Sequence, residues 1–268
     1  MDPKFNLSLL KTSFALFPGI GPELEKKIWE YGIADWDDFL HFTPNQDHAW
    51  WKWAFPDLQE IKQAIPIWKK AYQKKDAQFF SQNLPYRDLW KVWEISPEKF
   101  CFLDIETTGI EFNSHVTVVS LYQAGEMKTY QRGKNLEYLL DGIQSDTILV
   151  SYNGKRFDVP FLEKEFHQKI PNVHLDLMNV LHDMGIKGGL KKSEEILGLV
   201  RAEEIAKIDG KVAPILWKDY QENDNLSSLQ LLVAYNQEDT INLKYILEEV
   251  YRRKVEEFTN LYIEPEEW

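Results

Sequence analysis

The stretch "KFCFLDIETTG", residues 99–109, places two acidic residues inside an otherwise apolar strand pattern. Alternate side chains of a strand point to the same face, so Asp104 and Glu106 share one face while Leu103 and Ile105 take the other. Two neighbouring carboxylates raise each other's pKa unless a cation lies between them. The stretch therefore predicts a strand that carries a cation site at its end. A strand face that simply meets solvent is the alternative.

Strand and helix patterns alternate after this stretch. The sequences "VTVVSLYQ", "MKTYQ", "TILVSYN" and "NVHLDL" have strand patterns, whereas "NLEYLLDGIQ" and "VPFLEKEFHQ" have helical periodicity. The sequence from residue 178 onward is mainly helical in pattern. This order predicts the α/β class, with a sheet covered by helices.

The first part of the chain has a different composition. Eight of the ten tryptophans lie before residue 94, and the sequence there indicates short helices bounded by Pro, Gly, Asp and Asn. We therefore predict a small all-α region at residues 1–96 and an α/β domain at residues 97–268.

One turn of the helical region has a pattern of its own. The segment "LFPGIGPELEKKIWEYGI" resembles a helix-hairpin-helix motif at about residues 14–40. Gly19 and Gly21 would form its hairpin and aim backbone N–H groups at a phosphate. Glu23 and Glu25 weaken anion binding there, so a purely structural hairpin remains the alternative.

Composition limits the possible functions. A net charge of −12 argues against a protein that coats nucleic acid nonspecifically, although it does not exclude an enzyme that acts on nucleic acid. The single Cys101 cannot form an internal disulfide. No run of 18 apolar residues and no signal-peptide pattern occurs, so we expect a cytoplasmic protein without membrane contact.

Three further polar residues occur at positions where they could complete the site. Asp158 follows a strand-to-helix turn in "SYNGKRFDVPFL", where the alternative is a simple helix N-cap. Tyr235 and Asp239 are spaced i, i+4 on a predicted helix and so share one face. Their alternative is a core tyrosine next to a solvated acid. Lys155 and Arg156, just before Asp158, could meet either a phosphate or solvent.

Taken together, "FLDIETTG", "SYNGKRFDVPFL", "GGLKKSEEILGL" and "YNQEDTINL" carry a family resemblance. They resemble the DEDDy branch of ribonuclease H-like 3′→5′ exonucleases, and more narrowly the bacterial predicted exonucleases related to family B polymerase proofreading domains. The resemblance covers about Phe100 to Val250. The sister DEDDh branch has a histidine five positions before the last acid, where this chain has Ala234.

The resemblance implies a ribonuclease H-like mixed sheet flanked by helices and a two-metal-ion hydrolysis of phosphodiester bonds. Two Mg²⁺ or Mn²⁺ ions would be held by four carboxylates, and Tyr235 would position the attacking water and help to deprotonate it. The implied metal ligands are Asp104, Glu106, Asp158 and Asp239. The implied substrate is a single-stranded 3′ end of DNA or RNA, and the sequence names no protein partner.

By the same resemblance, Thr107 would contact the 3′ nucleotide. Asn153, Lys155 and Arg156 are further candidate substrate-binding residues, with solvent exposure as the alternative for the two basic side chains. Two other functions stay open: a noncatalytic nucleic-acid-binding or scaffold protein that retains the fold, and a structure-specific endonuclease that uses the same metal site. The strand "VHLDL" adds His174 and Asp176, which we expect to be structural.

Overall fold

The computed structural model describes residues 7–43, 58–111, 113–202, 205, 208 and 210–263. The chain forms two compact units. One contains the residues up to Pro97 together with those from Tyr251 onward, and the other is Glu98–Val250. The last helix contributes residues to both units, so the division into residues 1–96 and 97–268 stays a prediction.

In the described residues, five strands form a single mixed sheet with the order β3-β2-β1-β4-β5. The strands are β1 (Phe100–Thr107), β2 (Val116–Gln123), β3 (Glu126–Gln131), β4 (Ile148–Ser151) and β5 (His174–Asp176). Strand β1 lies at the centre, antiparallel to β2 and parallel to β4, and β5 is parallel to β4. The predicted α/β class and the mixed sheet flanked by helices are confirmed.

The helices of the second unit cover both faces of this sheet. They are α5 (Leu139–Gly142), α6 (Asp158–Phe166), α7 (Leu177–Asp183), α8 (Leu190–Leu197), α9 (Ala213–Asn223) and α10 (Leu226–Phe258), whose last residues belong to the first unit. A short 3-10 turn, Leu136–Tyr138, precedes α5. No helix in the described ranges is long and apolar enough to cross a membrane.

The two faces of β1 have different environments, as the alternation of its sequence predicts. Leu103 and Ile105 are buried in an apolar cluster that also contains Leu162 of α6. The opposite face, which carries Asp104 and Glu106, is covered by α9 and α10, because Val118, the β2 partner of Glu106, packs in a second cluster with Trp217 and Leu232. The acids therefore lie on the face that the long helix crosses.

The first unit is helical, as predicted. Its helices are α1 (Pro22–Glu30), α2 (Trp36–His41), α3 (Leu58–Gln73) and α4 (Ala77–Asn83), followed by 3-10 segments at Tyr86–Glu94 and Pro97–Lys99. A π-helical turn, Thr259–Ile263, ends the described chain.

The predicted hairpin of the first unit lies between a series of turns and α1. Residues 7–21 form successive turns, and α1 begins directly after Gly21. Gly19 has a φ of +86°, which glycine adopts without strain. Glu25 is buried, and its carboxylate accepts the backbone N–H groups of Phe14 and Ala15 at 2.7 and 2.9 Å. Glu25 thus stabilises the turn, and the helix-hairpin-helix assignment stays a prediction.

Candidate metal centre

The carboxylates from three separate segments meet at one edge of the sheet. Because β1 and β4 are parallel, their carboxyl ends lie at the same edge, and the turn after β4 leads to Asp158. Asp104, Glu106 and Asp239 each offer a carboxylate oxygen, and these oxygens all lie within 4.8 Å of one another. Asp158 lines the same cleft as these three.

Asp158 is the first residue of α6, and the N-cap position belongs to Phe157. The N-cap alternative for Asp158 is therefore wrong. Its buried carboxylate accepts the backbone N–H of Ile105, which lies between the two acids of β1. Gly154 makes this approach possible, since a Cβ atom there would lie 2.0 Å from Ser151 Oγ and 2.9 Å from Asp158 Oδ2.

The electrostatics of the cluster oppose ionisation. Burial, followed by the charges of neighbouring acids, raises the pKa values of Asp104 and Glu106 well above their ordinary range. Burial raises the pKa of Asp158 to about 7. Burial also raises the pKa of Asp239, to about 6, although Arg201 acts in the opposite direction. The carboxylates are thus poised to gain free energy from a bound cation.

The donor set fits a divalent cation. Mg²⁺ and Mn²⁺ prefer oxygen ligands, and this cluster offers carboxylate oxygens at short mutual distances. A divalent charge would also relieve the repulsion that raises the pKa values of the cluster. Asp104, Glu106 and Asp239 are therefore suited to hold a divalent cation, and Asp158 lines the same cleft.

Tyr235 and Asp239 lie one turn apart on α10 and face the acids of β1. The Tyr235 and Asp239 side chains are hydrogen-bonded to each other. Burial, and then the charges of Asp239, Glu106 and Asp104, raise the pKa of the Tyr235 phenol. Asp239 is only 6% exposed, so the alternative of a solvated acid at this position is wrong.

A cleft of about 600 Å³ opens over the carboxylates. That volume is typical of small-molecule sites. The predicted contact residues Thr107 and Asn153 both line it, next to Ile110, Phe157 and Lys211. The Thr107 hydroxyl donates to the Gly109 carbonyl at 2.7 Å, which holds the turn after β1.

The other predicted contacts lie elsewhere. Lys155 and Arg156 are exposed, and the described lining of the cleft does not include them. Gly19 and Gly21 belong to the first compact unit. Thr107 and Asn153 are thus the only predicted substrate residues that the described lining brings to the carboxylates.

His174 and Asp176 have the structural contacts that the sequence led us to expect. The Asp176 carboxylate accepts the backbone N–H groups of Asn153 at 2.8 Å and of Met178 at 3.1 Å, so it joins the turn after β4 to the start of α7. His174 Nε2 lies 2.7 Å from Ser151 Oγ. Burial lowers the pKa of His174 to about 4.

Three polar residues at the site were not predicted from the sequence. Asn236 donates from Nδ2 to Asp104 Oδ2 at 2.7 Å, while Arg201 forms ion pairs with both Glu194 and Asp239. Asn236 directly follows Tyr235, and Glu194 lies inside "GGLKKSEEILGL", so both stood within quoted motifs. Arg201 lies two residues beyond that motif and had no pattern of its own.

A family model of the RNase H superfamily matches residues 101–251, which is more than half of the chain. The chain belongs to the RNase H superfamily. The match contains all of β1 except Phe100, the turn to Asp158 and the α10 residues of the carboxylate cluster. No curated protein sequence matches the chain significantly.

Solved structures give partial similarity to this RNase H superfamily chain. The family B DNA polymerase from the hyperthermophilic archaeon Pyrobaculum calidifontis is 15% identical, with a TM-score of 0.48 over 61% of this chain and 26% of that chain. Brucella melitensis NrnC is 19% identical, with a TM-score of 0.38 over 63% and 84%. The Aedes aegypti Nibbler EXO domain is 12% identical, with a TM-score of 0.37 over 65% and 84%.

The match covers much less than two thirds of the polymerase chain, at 26%.

Proposed function

We propose that this protein is a divalent-metal-dependent 3′→5′ exonuclease that hydrolyses phosphodiester bonds at single-stranded 3′ ends of DNA or RNA. The observation that carries the proposal is the meeting of four acids and Tyr235 from β1, α6 and α10 at one cleft. Membership of the RNase H superfamily supports nuclease chemistry for such a cluster. The DEDDy pattern of the sequence supports the finer assignment to exonucleases.

Two Mg²⁺ or Mn²⁺ ions would be held by Asp104, Glu106, Asp158 and Asp239. When bound, such ions polarise the phosphoryl group and stabilise the attacking and leaving oxygens of the displacement. The chain's own contribution is rigidity. Asp104 and Glu106 are fixed by the central strand, and Asn236 holds Asp104 by a hydrogen bond to Oδ2.

Tyr235 orients the attacking water in this proposal. Its raised pKa keeps the phenol protonated at neutral pH, so the hydroxyl can donate to Asp239 and still accept an O–H from water through its oxygen. Its place beside the carboxylates sets where that water is held. The Tyr235 side chain therefore acts through geometry and hydrogen bonding.

Substrate binding is assigned to the cleft wall. Thr107 and Asn153 contact the terminal nucleotide, while the apolar side chains of Ile110 and Phe157 contact its base. Lys155 and Arg156 contact the backbone phosphates further from the end. We also propose that the backbone at Gly19 and Gly21 of the first unit contacts the nucleic acid.

The test uses a 5′-labelled single-stranded oligonucleotide with Mn²⁺ or Mg²⁺. With wild-type protein we expect a ladder of products that shortens from the 3′ end. With Asp104→Asn we expect the rate to fall at least about 10²-fold, which is the size of loss seen when other essential catalytic groups are removed. Asp183→Asn, an exposed acid of the same unit, is the matched control and should keep the wild-type rate.

Shortening of the oligonucleotide by Asp104→Asn protein at the wild-type rate would refute the proposal. Cutting of a circular single strand would instead support the endonuclease alternative. Binding of the oligonucleotide and Mn²⁺ without any cleavage would support the noncatalytic alternative.

A further inference from the structure

A buried arginine stands directly behind the carboxylate cluster. Arg201 Nε donates to Glu194 Oε2 at 2.5 Å, and its Nη2 donates to Glu194 Oε1 at 2.7 Å. The two side chains are 6% and 2% exposed. This bidentate arrangement is the geometry in which a guanidinium binds a carboxylate most strongly.

The remaining nitrogen of the same guanidinium faces the site. Arg201 Nη1 forms an ion pair with Asp239 Oδ1. The Arg201 Cζ atom also lies 6.0 Å from the centre of the Tyr235 ring, which is within the range of a cation–π contact. The Arg201 side chain thus contacts two of the five proposed catalytic residues, Asp239 and Tyr235.

Contacts around Glu194 fix the arginine in this position. Glu194 Oε1 also accepts a hydrogen bond from Asn242 Nδ2 at 2.9 Å, and Asn242 lies on α10, three residues after Asp239. If Arg201 swung away, Glu194 would be left as an unpaired buried charge, which is strongly unfavourable. The network therefore holds Arg201 against α10.

The charge balance suits a cation site. The positive charge of Arg201 is matched by the negative charge of Glu194, so the pair brings an N–H donor to Asp239 with no net charge. An arginine without Glu194 would repel a divalent cation at the same place. The Glu194–Arg201 pair orients Asp239 and leaves the charge of the carboxylate cluster available to metal.

We propose that Arg201, held by Glu194, is a positioning residue that fixes the Asp239 carboxylate for divalent-cation binding, an inference that rests on the proposed function. The rival role is a competing cation that must leave before metal binds. The two roles predict opposite signs: loss of a positioning residue weakens metal binding, whereas loss of a competitor strengthens it.

The experiment measures Mn²⁺ binding by calorimetry at pH 8 in the absence of nucleic acid. It compares wild-type protein with Arg201→Gln, which removes the positive charge, and with Arg201→Lys, which keeps the charge but loses the bidentate geometry. We expect both variants to bind Mn²⁺ about 10- to 100-fold more weakly, as is typical when a group that orients a metal ligand is lost.

Arg132→Lys is the matched control. Arg132 pairs with Glu165 and donates to the Val116 carbonyl in the same unit, and none of these three residues belongs to the carboxylate cluster. This change should lower the melting temperature slightly and leave the Mn²⁺ affinity within about twofold of wild type, because it alters a partly exposed arginine–carboxylate pair outside the carboxylate cluster. Circular dichroism tests whether each variant is folded.

Each outcome decides between the possibilities. Unchanged or tighter Mn²⁺ binding by the folded variants overturns the positioning role while the proposed function stands. A wild-type protein that binds no Mn²⁺ overturns the proposed function itself, and with it this inference. If Arg201→Lys does not fold, Arg201→Gln decides alone, since the two roles predict opposite signs for the loss of the positive charge.

Discussion

Replacing Asp158 with asparagine should stabilise the metal-free protein at pH 8 and remove much of its response to divalent cations. Asp158 is 4% exposed, and burial raises the pKa of its carboxyl from 3.8 to about 7. In the folded state the carboxyl therefore keeps its proton to higher pH than in the unfolded chain. Its contribution to stability falls as pH rises between these two values and is at its lowest above pH 7.

The magnitude follows from the two pKa values. The difference between them means that the charged Asp158 side chain lowers the stability of the folded protein by about 4 kcal/mol at pH 8. Asparagine has no charge, and its amide oxygen can still accept the Ile105 N–H. Allowing for relaxation around the site, we expect Asp158→Asn to add about 2 to 4 kcal/mol of stability without metal, or roughly 5 to 15 °C in melting temperature. At pH 5 the gain should shrink to below about 2 kcal/mol.

Calorimetric melting with a chelator and then with Mn²⁺ measures both effects. Wild-type protein should gain stability when Mn²⁺ is added, and Asp158→Asn should gain much less. The difference between their melting temperatures should therefore shrink or change sign. Asp183→Asn controls for the loss of an exposed acid. The reasoning is refuted if Asp158→Asn is less stable than wild type without metal at pH 8, or if it responds to Mn²⁺ as wild type does.

Three other predictions test separate parts of the site. Because the folded pKa of His174 is about 4, its own contribution to stability should fall by about 3 kcal/mol as pH falls from 6.5 to 4, so the stability of wild-type protein relative to His174→Gln should fall by that amount in urea titrations; parallel curves would contradict this. Gly154→Ala should cost about 1 to 3 kcal/mol in thermal unfolding by crowding Ser151, whereas Gly189→Ala, with no atom within 4 Å, should cost less. Tyr235→Phe should lower kcat about 10²-fold or more without changing Mn²⁺ affinity; equal losses in both would make its role structural.

The sheet and most of the cluster follow from local patterns. The alternation along β1 is enough to place Asp104 and Glu106 on one face, because the period of a strand is fixed by its backbone. Asp158 could be expected at the same edge because it follows a neighbouring parallel strand. Asp239 required the i, i+4 relation to Tyr235 on a long helix, together with the family resemblance.

Other features depend on tertiary contacts that no short window of sequence contains. Arg201 reaches Asp239 only because α8 lies beside α10, and its charge pattern alone is that of an ordinary surface residue. The turns at residues 7–21 are likewise held by Glu25, for which the sequence indicated only a charge that weakens anion binding. In both cases a buried charge is stabilised by partners in another segment of the chain.

The most direct measurement of the central claim is the anomalous diffraction of crystals grown or soaked with Mn²⁺. We predict anomalous density bounded by Asp104, Glu106 and Asp239, with a second ion on the side of Asp158. Absence of density at these carboxylates under conditions that saturate Mn²⁺ binding in solution, or density only at another site, would contradict the metal centre and the nuclease function built on it.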